Sequence, residues 1–266
     1  MALCWSLLFL PACQGLSAGR SRAAEVTLAG STSVEPFAEL LAERYMQSHP
    51  DGPAINVQGG GSSAGIQAAL SGAADIGMAS RNLTSAEVAQ GLTYQPIARD
   101  AIAIVVHPSN LVSDLTLAQV RDVFDGVIND WKDLGGQEGP IVVITREEGS
   151  GTRGAFQEMV MKDAQITPSA LRQDSNGAVR VIVASDRRAV GYISLGLVNS
   201  SVKALHLDGA MPSVEDVLNG SYGLSRPFLF LWRGELKPAA RAFVDYVLSA
   251  EGQGQLAREG LVTGGQ

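Results

Sequence analysis

Cysteine is nearly absent from this chain of 266 residues, and both cysteines, Cys4 and Cys13, lie close to the amino terminus. From Glu25 onward there is none, so disulfide bonds contribute nothing to the fold of that part. Histidine occurs three times, with no His-Glu-x-x-His pattern and no Cys/His cluster, which leaves a zinc site without ligands. No Walker-type lysine follows the glycine-rich loops, so a nucleotide site is poorly supported.

Basic residues are fewer than acidic residues in this chain. The chain has 20 Lys and Arg against 27 Asp and Glu, a net charge of -7 and an isoelectric point near 5.0. This balance excludes a broad basic surface for nucleic acid, although a small anion could still bind through local donors. Aromatic residues make up 6% and are scattered, which disfavours a sugar or aromatic-ligand cleft built on stacking.

The longest apolar run at the amino terminus, residues 2–12, has the length of a signal peptide and is too short to span a bilayer. It ends at Leu10-Pro-Ala-Cys13, which resembles a bacterial lipobox and predicts that Cys13 becomes the lipidated first residue. Residues 14–24 are small and polar, as in a tether. Residues 1–24 are therefore predicted to be a lipoprotein signal segment and tether, and the protein to be extracytoplasmic. A plain signal peptide or a buried N-terminal strand are the alternatives.

What the chain has in abundance is β-branched runs that open into Gly/Ser/Thr loops before a helical pattern, and this happens three times. The loops are Gly30-Ser-Thr-Ser33, Gln58-Gly-Gly-Gly-Ser-Ser63 and Arg146-Glu-Glu-Gly-Ser-Gly-Thr152. The free N–H groups and the macrodipole of a helix N-terminus attract anions. Three such loops, two with paired hydroxyls and one with an arginine, predict a shared oxyanion pocket.

The alternation of strands and helices predicts an α/β fold with largely parallel sheets. Buried strands are expected at residues 101–106 and 226–232, a helix at 238–248, and helices over most of residues 153–186. No linker divides the mature chain. If there are two domains, the chain must therefore cross between them more than once.

These motifs, together with Gly191-Tyr-Ile-Ser-Leu195, resemble the phosphate-binding proteins of bacterial phosphate ABC importers over residues 26–253. The resemblance implies a type II periplasmic-binding-protein fold with two lobes, each a mostly parallel sheet flanked by helices, and the ligand in the cleft. Residues 25–105 and 226–266 would form lobe I and residues 106–225 lobe II. The crossing strands would be near residues 102–106 and 227–231.

The resemblance also assigns residues to the site. Thr32 and Ser33 would donate to phosphate from the first loop, Ser62 from the second, and Ser150, Gly151 and Thr152 from the third. Arg146 would supply the positive charge, because its fork matches two oxygens at once, and Glu148 would pair with it. The alternative for Thr32 and Ser62 is a plain helix-capping role. Ser175 and Asn176 are expected to form a turn and a cap, with a position at the border of the cleft as the alternative.

One position departs from the family pattern. Some members carry a carboxylate directly after the serine that ends the strand at residues 74–79, and it accepts the proton of bound phosphate. Here Arg81 follows Ser80. Ser80 is expected to donate to the ligand, while Arg81 either adds charge to the site or faces solvent. Loss of the acceptor predicts a narrower preference for phosphate over sulfate.

The leading hypothesis is a solute-binding lipoprotein that captures inorganic phosphate, closes around it by hinge motion and delivers it to a membrane permease. It would need no cofactor and no metal. Alternatives are a binder of sulfate, tungstate or molybdate, or a phosphate sensor without a transport role. A hydrolase is the third alternative, because Gly61-Ser-Ser-Ala-Gly65 matches a nucleophile elbow with Ser63 as the nucleophile. Its His49, His107 and His206 are poorly placed for a triad.

Overall fold

Strands and helices alternate along the chain in a computed structural model that describes residues 24–263. The strands are β1 (Glu25–Gly30), β2 (Ala54–Gly59), β3 (Ile76–Ala79), β4 (Leu92–Val106), β5 (Asp114–Leu115), β6 (Val142–Arg146), β7 (Leu171–Gln173), β8 (Ala189–Ser194), β9 (Lys203–Ala204), β10 (His206–Leu207) and β11 (Ser225–Arg233). The α-helices are α1 (Glu35–Ser48), α2 (Ser62–Ser71), α3 (Ser85–Val88), α4 (Leu117–Asp125), α5 (Gly151–Phe156), α6 (Asn176–Ser185), α7 (Val214–Leu218), α8 (Pro238–Leu248) and α9 (Ala250–Arg258). A π-helical turn, Gln157–Met161, continues α5, and 3₁₀ turns occur at Trp131–Leu134 and Leu195–Leu197.

The first lobe is built on the sheet β2-β1-β3-β11-β4. Strand β1 pairs in parallel with β2 and β3, whereas β11 runs antiparallel to β3 and β4. One face packs against α1 and α8 through a core that includes Phe37, Phe228 and Phe243, and α2 covers the other face through Ile66. This sandwich brings the carboxyl ends of β1, β2 and β3 to one edge.

The second lobe continues the order as β4-β8-β6-β7 and has its own apolar cores. Phe124, Phe156 and Tyr192 pack together in the larger core. The Phe156 and Tyr192 rings stack with their centroids 4.2 Å apart, and Phe124 is tilted against both. Helix α6 covers the opposite face through Val179 and Val183. The α/β fold with two flanked sheets is therefore confirmed, although the sheets are mixed because the strands that connect the lobes run antiparallel to their neighbours.

Strand β4 links the lobes as one continuous strand. It pairs with β11 up to Ala101 and with β8 from Ile102 onward, so β4 changes its partner strand from one residue to the next. The chain returns to the first lobe beside this point of β4, where the Ile102 amide donates to Leu224 O at 2.8 Å. Residues 227–231, the expected second crossing, instead lie wholly in the first sheet, where apolar neighbours bury them on β11.

One further expectation about the helices needs adjustment. Helices do not fill residues 153–186, because helical structure stops at Met161, β7 intervenes and α6 begins only at Asn176. The helix ends because Lys162, with φ of 55° and ψ of -113°, leaves the helical conformation. Pro168, which has no amide hydrogen and restricts the residue before it, disfavours a helix in the residues that follow. The helix expected at residues 238–248 is confirmed as α8. Among the described residues, no helix has the length and apolar character needed to cross a membrane.

Candidate functional site

The three Gly/Ser/Thr loops predicted from the sequence meet between the lobes. Ser33, Ser62, Ser80, Ser150 and Thr152 are each at most 3% exposed. Ser33 Oγ in the first lobe lies 2.8 Å from Thr152 Oγ1 in the second, and the Ser63 amide donates to Gly149 O at 3.1 Å across the same gap. The structure thus brings hydroxyl donors from both lobes into one buried cluster.

Arg146 lies at the end of β6 in the middle of this cluster and is 1% exposed. Its Nε and Nη2 donate to the Glu147 carboxylate at 2.9 Å each, and Nη2 also approaches Thr32 Oγ1 at 3.0 Å and Asp174 O at 3.1 Å. Among the described residues, Arg146 Nη1 is the buried side-chain nitrogen with no hydrogen-bond partner. Because buried polar groups are almost always paired, a free guanidinium arm here indicates a place for an acceptor.

Glu148 is not the partner of Arg146, contrary to what the resemblance implied. Its side chain is 73% exposed and pairs with Arg153 at 2.8 Å and Arg172 at 3.9 Å, while Glu147 holds Arg146. Consecutive residues in this loop point in opposite directions. Only the neighbour whose side chain turns inward can reach a buried guanidinium.

Arg81 also lies outside the cluster. Its two terminal nitrogens donate to the Glu87 carboxylate at 2.9 and 2.8 Å, ahead of α3. The Arg81 stem passes over α5, where a Cβ on Gly154 would lie 3.2 Å from Arg81 Cδ. The ion pair with Glu87 orients the charge of Arg81 away from the hydroxyls, so Arg81 adds no hydrogen-bond donor to the site.

The hydroxyls of Thr32 and Ser62 do not cap helices, which removes the plain structural alternative for both. The N-cap positions of α1 and α2 are Val34 and Gly61, and neither helix has a side-chain cap. Ser62 Oγ instead accepts from the Ser80 amide at 3.1 Å. Ser150 does cap α5 by accepting from the Arg153 amide, an arrangement that leaves its own hydroxyl hydrogen free to donate.

Five buried polar residues of the cluster are missing from the site residues assigned from the sequence: Ser31, Asp100, Asn176, Ser194 and Arg226. Arg226 Nη2 donates to Asp100 Oδ2 at 2.9 Å and to Ser33 Oγ at 3.2 Å. Ser194 Oγ donates to Asp100 Oδ1 at 2.9 Å, and Asn176 Nδ2 donates to Ser33 Oγ at 2.9 Å. Ser175 forms the expected cap of α6, whereas Asn176 turns into the cleft.

A usable signal for two of these residues was present in the sequence. Asp100 and Arg226 are charged residues next to apolar runs of their strands, and charged residues are rarely buried unless paired. They face each other as cross-strand partners in the β4–β11 register. Burial raises the pKa of the Asp100 carboxyl, and the adjacent Arg226 guanidinium opposes that increase.

The described residues do not bring a histidine to Ser63, as the catalytic triad of a hydrolase would require. His49 bonds to Tyr45 and Ser48, and His107 bonds to Ser109. No hydrogen bond in the described part of the chain joins a histidine to Ser63. Nor do the described residues contain a group of histidine, cysteine or acidic side chains arranged to hold a metal ion.

Several known proteins are similar to this chain in sequence and in structure. The chain matches the PBP superfamily domain over residues 17–251. The phosphate-binding protein PstS of Bacillus subtilis is 30% identical over 232 residues, which cover 85% of this chain and 76% of that protein. A crystal structure of a Clostridium perfringens protein, described as a phosphate ABC transporter substrate-binding protein with bound phosphate, is 44% identical. It has a TM-score of 0.88 and covers 91% of this chain and 100% of that one.

An ABC-type phosphate transport receptor from Vibrio cholerae is 37% identical with a TM-score of 0.75, covering 90% of this chain and 100% of that one. The similarity therefore extends over both lobes and the loops between them. The chain belongs to the PBP superfamily and, within it, to the family of the phosphate-binding proteins.

Proposed function

We propose that this protein binds inorganic phosphate between its lobes and delivers it to the permease of an ABC importer. The observation that carries the proposal is the unpartnered Nη1 of Arg146, buried among hydroxyls from both lobes. Phosphate offers several acceptor lone pairs, and a guanidinium with neutral hydroxyl and amide donors satisfies them without large net charge. The relatives named for phosphate binding and phosphate transport support this ligand.

The direct contacts proposed are those of Thr32, Ser62, Ser80, Arg146, Ser150, Gly151 and Thr152. Ser33, expected from the sequence to contact the ligand, lies behind them, because its Oγ is 2.8 Å from Thr152 Oγ1 and its amide donates to Ser31 Oγ at 3.2 Å. The first amides of α5, at Gly151 and Thr152, have no acceptor within their own helix, because the four N-terminal N–H groups of any helix lack one. Ser150 and Thr152 add hydroxyls to the same turn. Together these groups form a donor-rich wall opposite the first two loops.

Titration calorimetry of the purified protein with phosphate, sulfate, tungstate and molybdate tests the ligand. We expect one phosphate per chain and a clear preference for phosphate. Preference for another tetrahedral oxyanion would move the protein to the first alternative. Absence of binding for all four anions would overturn the proposal.

Delivery to a permease is tested separately from binding. Phosphate-loaded protein should stimulate ATP hydrolysis by its cognate importer in proteoliposomes, whereas a sensor without a transport role would bind phosphate equally well and leave the rate unchanged. We also propose an extracytoplasmic location with a lipid anchor at Cys13, which lies outside the described residues. The small, polar composition of residues 14–24 supports a tether between anchor and lobes.

A further inference from the structure

The two buried arginines of the cluster differ in how their N–H groups are used. Arginine has five N–H donors and no acceptor. Arg146 keeps Nη1 unpartnered. Arg226, 2% exposed, uses every donor on the protein: Nε and Nη2 reach Asp100, Nη2 reaches Ser33 Oγ, and Nη1 reaches Ser80 O at 3.2 Å and Ser80 Oγ at 3.4 Å. Arg226 therefore has no N–H left for a ligand.

The bonds from Arg226 determine which way the Ser33 hydroxyl points. Ser33 Oγ accepts from Arg226 and from Asn176 Nδ2. The orientation of the Asn176 amide follows from Ser194, whose backbone N–H donates to Asn176 Oδ1 at 3.1 Å. With both lone pairs of Ser33 occupied, its hydrogen has to be donated, and Thr152 Oγ1 lies 2.8 Å away. The Thr152 hydrogen is then free to point toward a ligand.

The same reasoning applies to Ser80. Its Oγ accepts from Ser31 Oγ at 2.9 Å and from Arg226 Nη1. Ser80 is left with its own hydrogen to donate, either to a ligand or to Ser62 Oγ, which lies 3.5 Å away. Arg226 thus orients hydroxyls in both lobes. It acts on Thr152 in the second lobe through Ser33, and on Ser80 in the first lobe directly.

We infer that Arg226, held by Asp100, is a positioning residue of the anion site: it orients the Ser33, Ser80 and Thr152 hydroxyls as donors before the ligand arrives. This inference rests on the proposed function, and it adds residues of β4 and β11 that the three loops do not include. Preorganised donors bind an anion without the cost of reorienting hydroxyls. The negative charge of the Asp100 carboxylate balances the positive charge of the Arg226 guanidinium within the protein.

A double-mutant cycle separates positioning from a purely structural ion pair. Asp100→Asn and Arg226→Gln each leave a buried group without its charged partner and are expected to lower Tm. The double variant Asp100→Asn/Arg226→Gln removes both charges and is expected to recover most of the wild-type Tm. Its phosphate affinity, measured by calorimetry, should nevertheless stay at least tenfold below wild type.

The control is Arg233→Gln, which removes the same charge from the exposed end of β11, where Arg233 donates only to Leu70 O. It should bind phosphate like wild type. A double variant that binds phosphate within twofold of wild type would show that the pair is only structural and would overturn the inference while leaving the proposed function intact. Wild-type protein that fails to bind phosphate would overturn both.

If the double variant does not fold, Arg226→Lys decides the question. Lysine keeps the charge beside Asp100, but its single ammonium cannot reach Ser33 and Ser80 together as the guanidinium does. A folded Arg226→Lys protein should bind phosphate at least fivefold more weakly than wild type. Wild-type affinity in this variant would contradict the positioning role.

Discussion

At the scale of single residues, hydrogen-bond partners determine what a side chain can do, and residue type alone does not. Arg81, Arg146 and Arg226 are all arginines in or beside the cleft, yet each forms an ion pair with a different carboxylate. Among the buried side-chain nitrogens of the described residues, only Arg146 Nη1 has no partner. Arg146 is therefore the arginine expected to contact the ligand.

Arg146→Ala should weaken phosphate binding by about 2–4 kcal/mol, the loss of a charge-assisted contact in a buried site. Arg146→Lys should recover only part of this, because a single ammonium cannot form the fork. Calorimetry measures both. Arg172→Ala, which removes an exposed cation of the same lobe, is the control and should bind normally. Near wild-type affinity in Arg146→Ala would exclude Arg146 from the site.

Selectivity between phosphate and sulfate follows from the carboxylates that are present. Asp100 and Glu147 both border the cluster, but guanidinium groups already occupy them. With no carboxylate free to accept the phosphate proton, we expect a phosphate-over-sulfate margin below the roughly 10⁴-fold that a dedicated acceptor can provide. Competition binding measures the margin, and a larger one would show that another acceptor exists.

Arg81→Asp should leave that margin unchanged, because residue 81 faces Glu87 and not the hydroxyls. An aspartate placed there for selectivity would have to point toward the ligand. A wider margin in this variant would mean that residue 81 turns into the site when the ligand binds.

At the scale of secondary-structure elements, local signals work where an element is self-contained. Helix α3 begins with a capping box between Thr84 and Glu87, in which the Thr84 amide donates to Glu87 Oε2 at 2.8 Å. The same carboxylate accepts from Arg81, so one glutamate caps the helix and holds the arginine. The hydrogen bonds from Arg81 lower the pKa of the Glu87 carboxyl, with burial opposing them.

This lowered pKa has a consequence for acid stability. A carboxyl whose pKa is lower in the folded state stabilises the protein above its unfolded pKa, about 4.3 for glutamate, and the contribution is lost as pH falls through the folded pKa. Glu87→Gln keeps an acceptor for the cap and removes the charge. It should cost about 1 kcal/mol of unfolding free energy at pH 7 and less at pH 3, as the folded carboxyl becomes protonated.

Urea denaturation at the two pH values checks this. Glu138→Gln, which alters an exposed glutamate 3.7 Å from Lys132, should show little effect at either pH. A Glu87→Gln penalty of equal size at pH 7 and pH 3 would show that the charge of the pair contributes no stability.

At the scale of the whole molecule, the site exists only because the lobes are close together. Gly151 in the second lobe lies close against the first lobe: a Cβ there would lie 2.1 Å from Ser62 Oγ and 2.7 Å from Ser80 Oγ. Such distances cannot be accommodated without moving a lobe or a hydroxyl that is expected to bind the ligand.

Gly151→Ala should therefore hold the lobes apart and weaken phosphate binding at least tenfold, about 1.4 kcal/mol. The fold of each lobe should persist, because the clash lies between them. Calorimetry gives the affinity, and small-angle scattering with and without phosphate gives the compaction. Gly177→Ala is the control, since its Cβ would meet only Ser175 Oγ at 3.9 Å. A Gly151→Ala protein that closes and binds normally would contradict this.

Membrane attachment is a property of the full chain and concerns Cys13. Cys13→Ser should release the protein from the membrane fraction, because acyl chains contribute about 0.8 kcal/mol per buried methylene to anchoring. The phosphate affinity should stay unchanged. Cys4→Ser is the matched control and should remain attached. A mature N-terminus near Glu25 would instead support a plain signal peptide.

The sequence by itself determined the α/β class, the three donor loops and the inward arginine of the third loop. Each of these depends on neighbouring residues: β-branched runs, glycines and hydroxyls at fixed spacing. Helix α8 and the capping boxes at Thr84 and Thr116 belong to the same category, since their interactions lie within a few residues.

Only the tertiary structure decided the ion-pair partners and the second arginine. Glu147 and Glu148 are adjacent in sequence, and the choice between them depends on which side chain turns toward the cleft. Asp100 and Arg226 are separated by 126 positions and meet because β4 and β11 pair in one register. Contacts between such distant residues arise from strand pairing and lobe packing, which local sequence patterns do not encode.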